Sequence, residues 1–162
     1  MLNKKKHPIK LSKIIVNKKA YYNYNIEKNF FSGLVLEGWE IKSIRSKKIN
    51  ISESYIHYYQ NEMYLMNATF QPLHISSQSI FCNPTRKRKL LLHRHEINFL
   101  SARIKNTGYT LITLSLFWKK SWCKLEFGIA KGKTLRDKRL HIKNNEWKKE
   151  KLNILKKNRI II

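Results

Sequence analysis

From Trp122 onward the chain alternates. Cys123, Leu125, Phe127 and Ile129 fall on one face; Trp122, Lys124, Glu126, Gly128 and Ala130 fall on the other. A period of two predicts a half-buried strand with an apolar core face and a mostly polar outer face. The polar break Lys119-Lys120-Ser121 lies just before it, so Tyr109–Trp118 and Trp122–Lys131 are expected to pair as a hairpin. After Lys131 the apolar pattern stops, and Gly132, Lys133, Arg136, Lys138 and Arg139 follow. Trp118–Arg139 therefore joins the last strand of a packed domain to a basic segment that need not pack.

The same reading extends to the other segments. Tyr21–Leu36, rich in Tyr, Phe and branched residues, predicts an extended segment with a bend at Gly33. Glu37–Ser46 predicts a short helix with Glu37, Ile41 and Ile44 on one side. Ile51–Tyr59 and Met63–Phe70 predict two strands, turned at Asn61-Glu62, with Tyr64, Met66, Ala68 and Phe70 sharing a face. A loop with Ser76, Ser77 and Ser79 lies between Pro72 and Pro84, and Arg86-Lys87-Arg88-Lys89 closes it. His93–Asn106 gives the strongest helical pattern, with Ile97, Leu100, Ser101 and Ile104 at i, i+3, i+4 and i+7 and Thr107-Gly108 as the stop.

Several strands, one short helix and one longer helix predict an α+β, mainly β domain. Its core is expected to be a small antiparallel barrel of the oligonucleotide-binding type with flanking helices. The division expected is a basic N-terminal tail at 1–12, a barrel domain at 13–132 and a basic C-terminal tail at 133–162. Lys131–Ile162 holds twelve basic and three acidic residues, with Trp147, Leu152, Ile154 and Leu155 scattered among them. Without an apolar stripe, such a segment is expected to be disordered alone and to order on a polyanion.

Charge sharpens the picture. The 162 residues carry 34 Lys and Arg against 10 Asp and Glu, a formal net charge of +24, while 42% of the residues are hydrophobic. A chain that can bury a core yet repels itself this strongly calls for a polyanionic partner, nucleic acid first. Lys-rich coding accounts for Lys in place of Arg, not for so few acids. The two cysteines, Cys82 and Cys123, form no metal or disulfide pattern, and no stretch has the length of a membrane span or a signal-peptide core. A cytoplasmic protein is expected. The acids are too dispersed for a metal-dependent nuclease, His93 and His95 lack metal-ligand spacing, and no nucleotide or nucleophile motif appears. No enzyme, cofactor or metal is expected.

The nucleic-acid signals work together. Lys124 faces outward beside Trp122, Lys131-Gly132-Lys133 leaves backbone open to a phosphate, and Arg86–Lys89 is a basic run. Tyr21, Tyr22 and Tyr24 follow Lys18 and Lys19, as in a stacking platform. Each alone is what a solvated charged face or a core aromatic also gives.

In order and spacing, the segments NKKA (Asn17–Ala20), GWEIKSIR (Gly38–Arg45), INISESY (Ile49–Tyr55), NPTRKRKLLL (Asn83–Leu92), WKKSWCKLEFGIAKGK (Trp118–Lys133) and DKR (Asp137–Arg139) resemble the SsrA-binding, or small protein B, family. The resemblance spans about Asn17 to Trp147. It implies a non-enzymatic RNA-binding barrel that holds the tRNA-like part of transfer-messenger RNA and delivers it to stalled ribosomes in trans-translation. The alternative is a general oligonucleotide-binding or ribosome-associated module. Residues expected to meet RNA are Asn17, Lys18, Lys19, Arg45, Arg86, Lys89, Lys119, Lys124, Lys131, Gly132 and Lys133. Those expected to meet the decoding centre and message channel of the ribosome are Arg136, Asp137, Lys138, Arg139 and Trp147. A monomer with no membrane partner is expected. Three positions depart from the family pattern: Phe31 for an acid, Glu126 for a basic residue and Arg136 for a His.

Overall fold

The alternation at Trp122 builds the longest pairing of the molecule. A computed structural model describes residues 13–73, 82–105 and 108–159. The expected tail at 1–12, the loop serines at 76, 77 and 79, and residue 107 of the helix stop lie outside those residues; Gly108, the other stop residue, has a φ of +85°.

The strands are β1 (Lys13–Val16), β2 (Tyr24–Leu34), β3 (Ile49–Asn50), β4 (Tyr55–Tyr59), β5 (Glu62–Met66), β6 (Thr69–Phe70), β7 (Arg88–Leu91), β8 (Tyr109–Lys119) and β9 (Trp122–Gly132). The helices are α1 (Lys18–Asn23), α2 (Gly38–Arg45), α3 (Arg94–Ile104) and α4 (Leu135–Arg159). The main sheet runs β1-β8-β4-β5-β7-β2-β9, and β8 also pairs with β9. That last pairing closes β8, β4, β5, β7, β2 and β9 into an antiparallel ring, the expected barrel. β1 pairs with β8 at Ser115, Leu116 and Phe117, and β3 and β6 form a separate two-stranded sheet.

The β8–β9 hairpin turns at Lys120, whose φ is +55°. The β4–β5 hairpin turns at Gln60-Asn61, both with positive φ, one residue earlier than expected. Inside the ring lie Ile56, Met63, Leu65, Leu90, Leu111, Leu116, Cys123, Leu125, Phe127 and Ile129, with Ile97 and Leu100 of α3 packed among them.

The structure changes four expectations. Residues 21–23 continue α1 instead of starting a strand, because the Asn17 carboxamide oxygen accepts from Ala20 N–H and caps a helical turn. The buried side of α2 is Trp39, Glu40, Ser43 and Ile44, not Glu37, Ile41 and Ile44, because Glu40 has buried arginine partners. The expected strand at 63–70 breaks at Asn67, in a left-handed conformation (φ +56°). Met63 and Leu65 therefore face inward before the break, and Ala68 and Phe70 after it. The outer face of β9 is also buried at Glu126, Gly128 and Ala130, not polar throughout, because α1 lays Ala20 across it. A bulge in β8 between Thr113 and Ser115 turns Leu114 onto the same outer cluster with Ile112.

Where the sequence suggests a segment disordered alone, residues Leu135–Arg159 stand as one helix. Thr134 and Asp137 start it: the Asp137 carboxylate accepts from Thr134 N–H and Oγ1, and Asp137 N–H donates back to Thr134 Oγ1. As the scattered pattern implies, Leu135, Leu140, Ile142, Trp147, Leu152, Ile154 and Leu155 are all exposed.

Candidate nucleic-acid interface

The predicted RNA residues divide between the two ends of β9. At the hairpin end, the chain turns through Lys119, Lys120 and Ser121, and Trp122 stands 73% exposed. Lys124 projects from the outer face between its cross-strand neighbours Gly33 and Phe117. Beside it are Phe31, 55% exposed with its ring edge-on to Phe117, and Leu91, 56% exposed against Gly33. Apolar and aromatic surface thus surrounds a lysine with no ion-pair partner among the described residues.

At the other end, Lys131, Gly132, Lys133, Thr134 and Asp137 line an open groove of about 550 Å³ with Asn25, Glu27, Leu140 and Asn144. Lys133 ties the end of β9 to α1, its backbone N–H donating to Asn23 O (2.9 Å) and its ammonium to Tyr21 O (2.8 Å). A Cβ at Gly132 would meet nothing within 4 Å, so internal packing does not require glycine there. Gly132 lies eight positions after Lys124 along the strand, roughly 25–30 Å, so the two ends form no single pocket. An RNA that met both would pass over α1, which covers the strand between them.

Glu126 sits between the two ends. Its carboxylate accepts from Lys13 Nζ (2.9 Å), Ser115 Oγ (2.6 Å) and Asn29 Nδ2 (3.2 Å). Burial raises its pKa, but the hydrogen bonds from Ser115 and Lys13, the Lys13 charge and the Asn29 bond outweigh it, leaving the group below the usual glutamate value. The acid is thus covered by a cation from β1. Lys13 was not singled out in the sequence, because no period or motif links it to a residue 113 positions away. The Tyr21 hydroxyl of α1 is raised above its ordinary value, by burial first and by the Glu126 charge second.

Several predicted residues have structural duties. Asn17 is buried; besides capping α1, its Nδ2 donates to the carbonyls of Ile51, Ser52 and Thr113. Its carboxamide is thus engaged within the fold, a structural duty that the sequence did not signal. Arg88, within the predicted basic run, is 0% exposed: Nε donates to Glu40 Oε1 (2.6 Å), the guanidinium caps the carbonyls of Ala68, Arg86 and Pro84, and it stacks on Phe70. Burial lowers the Arg88 pKa and Glu40 opposes that. Arg86 donates to both Glu40 oxygens and to Val35 O, and is mostly buried. Lys89 pairs with Glu62 (2.6 Å), and that hydrogen bond raises its pKa. The run is therefore β-strand and ion-pair network more than open basic loop, with Lys87 an exposed cation that has no ion-pair partner among the described residues.

Lys18, Lys19, Arg45 and Lys119 are exposed; Lys19 reaches Glu53 at 3.2 Å. In α4, Arg136, Arg139 and Trp147 are exposed, while Asp137 is the helix cap, its pKa lowered by the Thr134 hydrogen bonds. Cys123 is pushed up to about 12 by burial and is an inert core thiol. Among the described residues no three His, Cys, Asp or Glu side chains gather to hold a metal, and no helix is long and apolar enough to cross a membrane.

A model of the SmpB protein family matches residues 14–157, which takes in the barrel and most of α4. The chain belongs to the SmpB family. Among SmpB relatives, the SsrA-binding protein of Buchnera aphidicola subsp. Acyrthosiphon pisum is 69% identical over 157 residues, 97% of each chain. That of subsp. Schizaphis graminum is 61% identical over 158 residues, again 97% of each. A solved SmpB structure, described as "tmRNA-SmpB: a journey to the center of the bacterial ribosome", matches with a TM-score of 0.63 and 32% identity. The match covers 75% of this chain and 85% of that one.

Proposed function

We propose that this chain binds the tRNA-like part of transfer-messenger RNA and delivers it to stalled ribosomes for trans-translation, acting in the cytoplasm, as a monomer and without catalysis. The observation that carries this reading is the near full-length identity to SsrA-binding proteins, which includes the region of α4 as well as the barrel. The geometry supports it. Trp122 and Lys124 stand on the outer face at one end of β9, Lys131, Gly132 and Lys133 lie at its other end, and Lys18 and Lys19 of α1 are exposed nearby. Phosphate contacts set position along an RNA, and the exposed aromatic groups meet unpaired or terminal bases. Arg136, Lys138, Arg139 and Trp147 then reach the ribosome from α4, beyond the barrel.

The test is a competition. Transfer-messenger RNA and an unrelated structured RNA of equal length compete for the purified chain at physiological salt. Preference for the transfer-messenger RNA is expected, and equal binding would return the chain to the class of general oligonucleotide-binding modules. Lys124→Ala and Lys133→Ala are each expected to weaken binding and to lower the salt slope by about one. Unchanged slopes in both would place these lysines off the RNA.

A further inference from the structure

The barrel carries a second aromatic surface, on the strands farthest from β9. Around the ring β8, β4, β5, β7, β2, β9, strand β5 is three steps from β9 in either direction. On β4 Ile56 and Tyr58 point inward, so Tyr55, His57 and Tyr59 point outward; on β5 Met63 and Leu65 point inward, so Tyr64 and Met66 point outward. The register sets Tyr55 against Met66, His57 against Tyr64, and Tyr64 against Lys89 of β7. Tyr59 is 47% exposed, and His57, Tyr59, Tyr64, Met66 and Lys87 line an open groove of about 130 Å³.

Two features set this surface apart from an ordinary solvated sheet face. The Lys87 ammonium stands over two rings, 5.1 Å from the centre of Tyr59 and 5.7 Å from that of Tyr64, with no carboxylate partner among the described residues. The acid on the patch, Glu62, is already neutralised by Lys89. The surface therefore offers flat rings, a cation free to turn to a phosphate and no unmatched negative charge.

We infer that the outer face of β4 and β5 binds single-stranded RNA. An unpaired base stacks on Tyr59 and Tyr64, and Lys87 leaves the ring faces to meet that nucleotide's phosphate. Base–aromatic stacking with a lysine on the backbone is how nucleic acid is held on open barrel faces without sequence readout. The surface is separate from the β9 edge, so it stands or falls independently of the transfer-messenger RNA reading.

Fluorescence anisotropy of the full chain with a labelled, unstructured adenosine octamer tests this, with a fully paired hairpin RNA as the comparison. Tyr59→Ala is expected to weaken octamer binding by about fivefold or more. Tyr59→Phe is expected to bind as the unsubstituted chain does, and the hairpin affinity is expected to hold in both. Lys87→Ala is expected to lower the salt slope for the octamer by about 0.7. Tyr59 is exposed enough that its replacement leaves the barrel folded, which circular dichroism verifies. The inference is overturned if the octamer does not bind, if Tyr59→Ala binds it unchanged, or if octamer and hairpin affinities fall together. It is overturned equally if Tyr59→Phe loses as much as Tyr59→Ala, since the contact would then be a hydroxyl and not a stacked ring.

Discussion

Single residues here do work their type does not announce. Asn17 holds α1, the turn after β3 and the middle of β8 with one carboxamide; removing it would uncap a helix and orphan buried carbonyls together. Glu40 caps α2 by accepting from Glu37 N–H and also receives Arg86 and Arg88, so a buried charge is matched on every side. Glu126 yields a testable pH dependence. Its folded pKa is depressed, so its contribution to stability is complete above the unfolded value of about 4.5 and is lost as pH falls through the folded pKa. Glu126→Gln is therefore expected to be less stable than the unsubstituted chain near neutral pH, with the gap closing on acidification below about 4.5. Urea midpoints across that range measure it, and a gap that widens in acid would contradict the assignment.

At the scale of the element, β9 combines packing and access along one strand. Its two glycines separate these demands. A Cβ at Gly128 would come within 2.7 Å of Ile26 Cγ2 and 3.3 Å of Leu114 Cδ1, so this glycine is required by the cluster beneath α1. Gly128→Ala is expected to cost about 1–3 kcal/mol, from overpacking. Gly132 has open space, so Gly132→Ala is expected to keep the melting temperature, and on the proposed RNA contact at this end of β9 it is expected to weaken RNA binding, because the new methyl would obstruct a phosphate approaching the backbone. Thermal melts of both variants and RNA titration of the second check the pair. Loss of stability in Gly132→Ala, or full RNA affinity, would make that glycine structural or idle.

Across the whole molecule, a closed barrel is followed by a long basic helix whose apolar residues stay in solvent. The core clusters lie within β1–β9 and α1–α3, and none includes a residue of α4. Deleting Asp137–Ile162 is therefore expected to leave the melting temperature essentially unchanged and to reduce RNA affinity only modestly, since Lys124, Lys131 and Lys133 remain. Release of ribosomes stalled on a message without a stop codon, in a reconstituted translation reaction, is expected to fail. Fixing a free segment costs on the order of 1–2 kcal/mol of backbone entropy per residue, which an extended polyanionic surface offsets and this barrel does not. A truncated chain that melts well below the full one would make α4 part of the fold.

Local order and bulk charge were present in the chain itself. The period of two at Cys123–Ile129, the helical spacing of Ile97, Leu100 and Ile104, and the surplus of lysine each arise between near neighbours or from composition. They specified the β8–β9 hairpin, α3, a barrel-type domain and an anionic partner without reference to distant contacts. Tertiary structure decided which cations are free. Arg86 and Arg88 look like part of a basic loop until a buried glutamate 46 and 48 residues away takes them. Asn17 looks like part of an RNA-binding motif until carbonyls 34 to 96 residues away close over it. The left-handed residue Asn67 reset which side chains of 63–70 face the core, and α1 covered a strand face that its own sequence leaves half polar. Burial and ion pairing over such separations depend on how the barrel closes, and no local period encodes that closure.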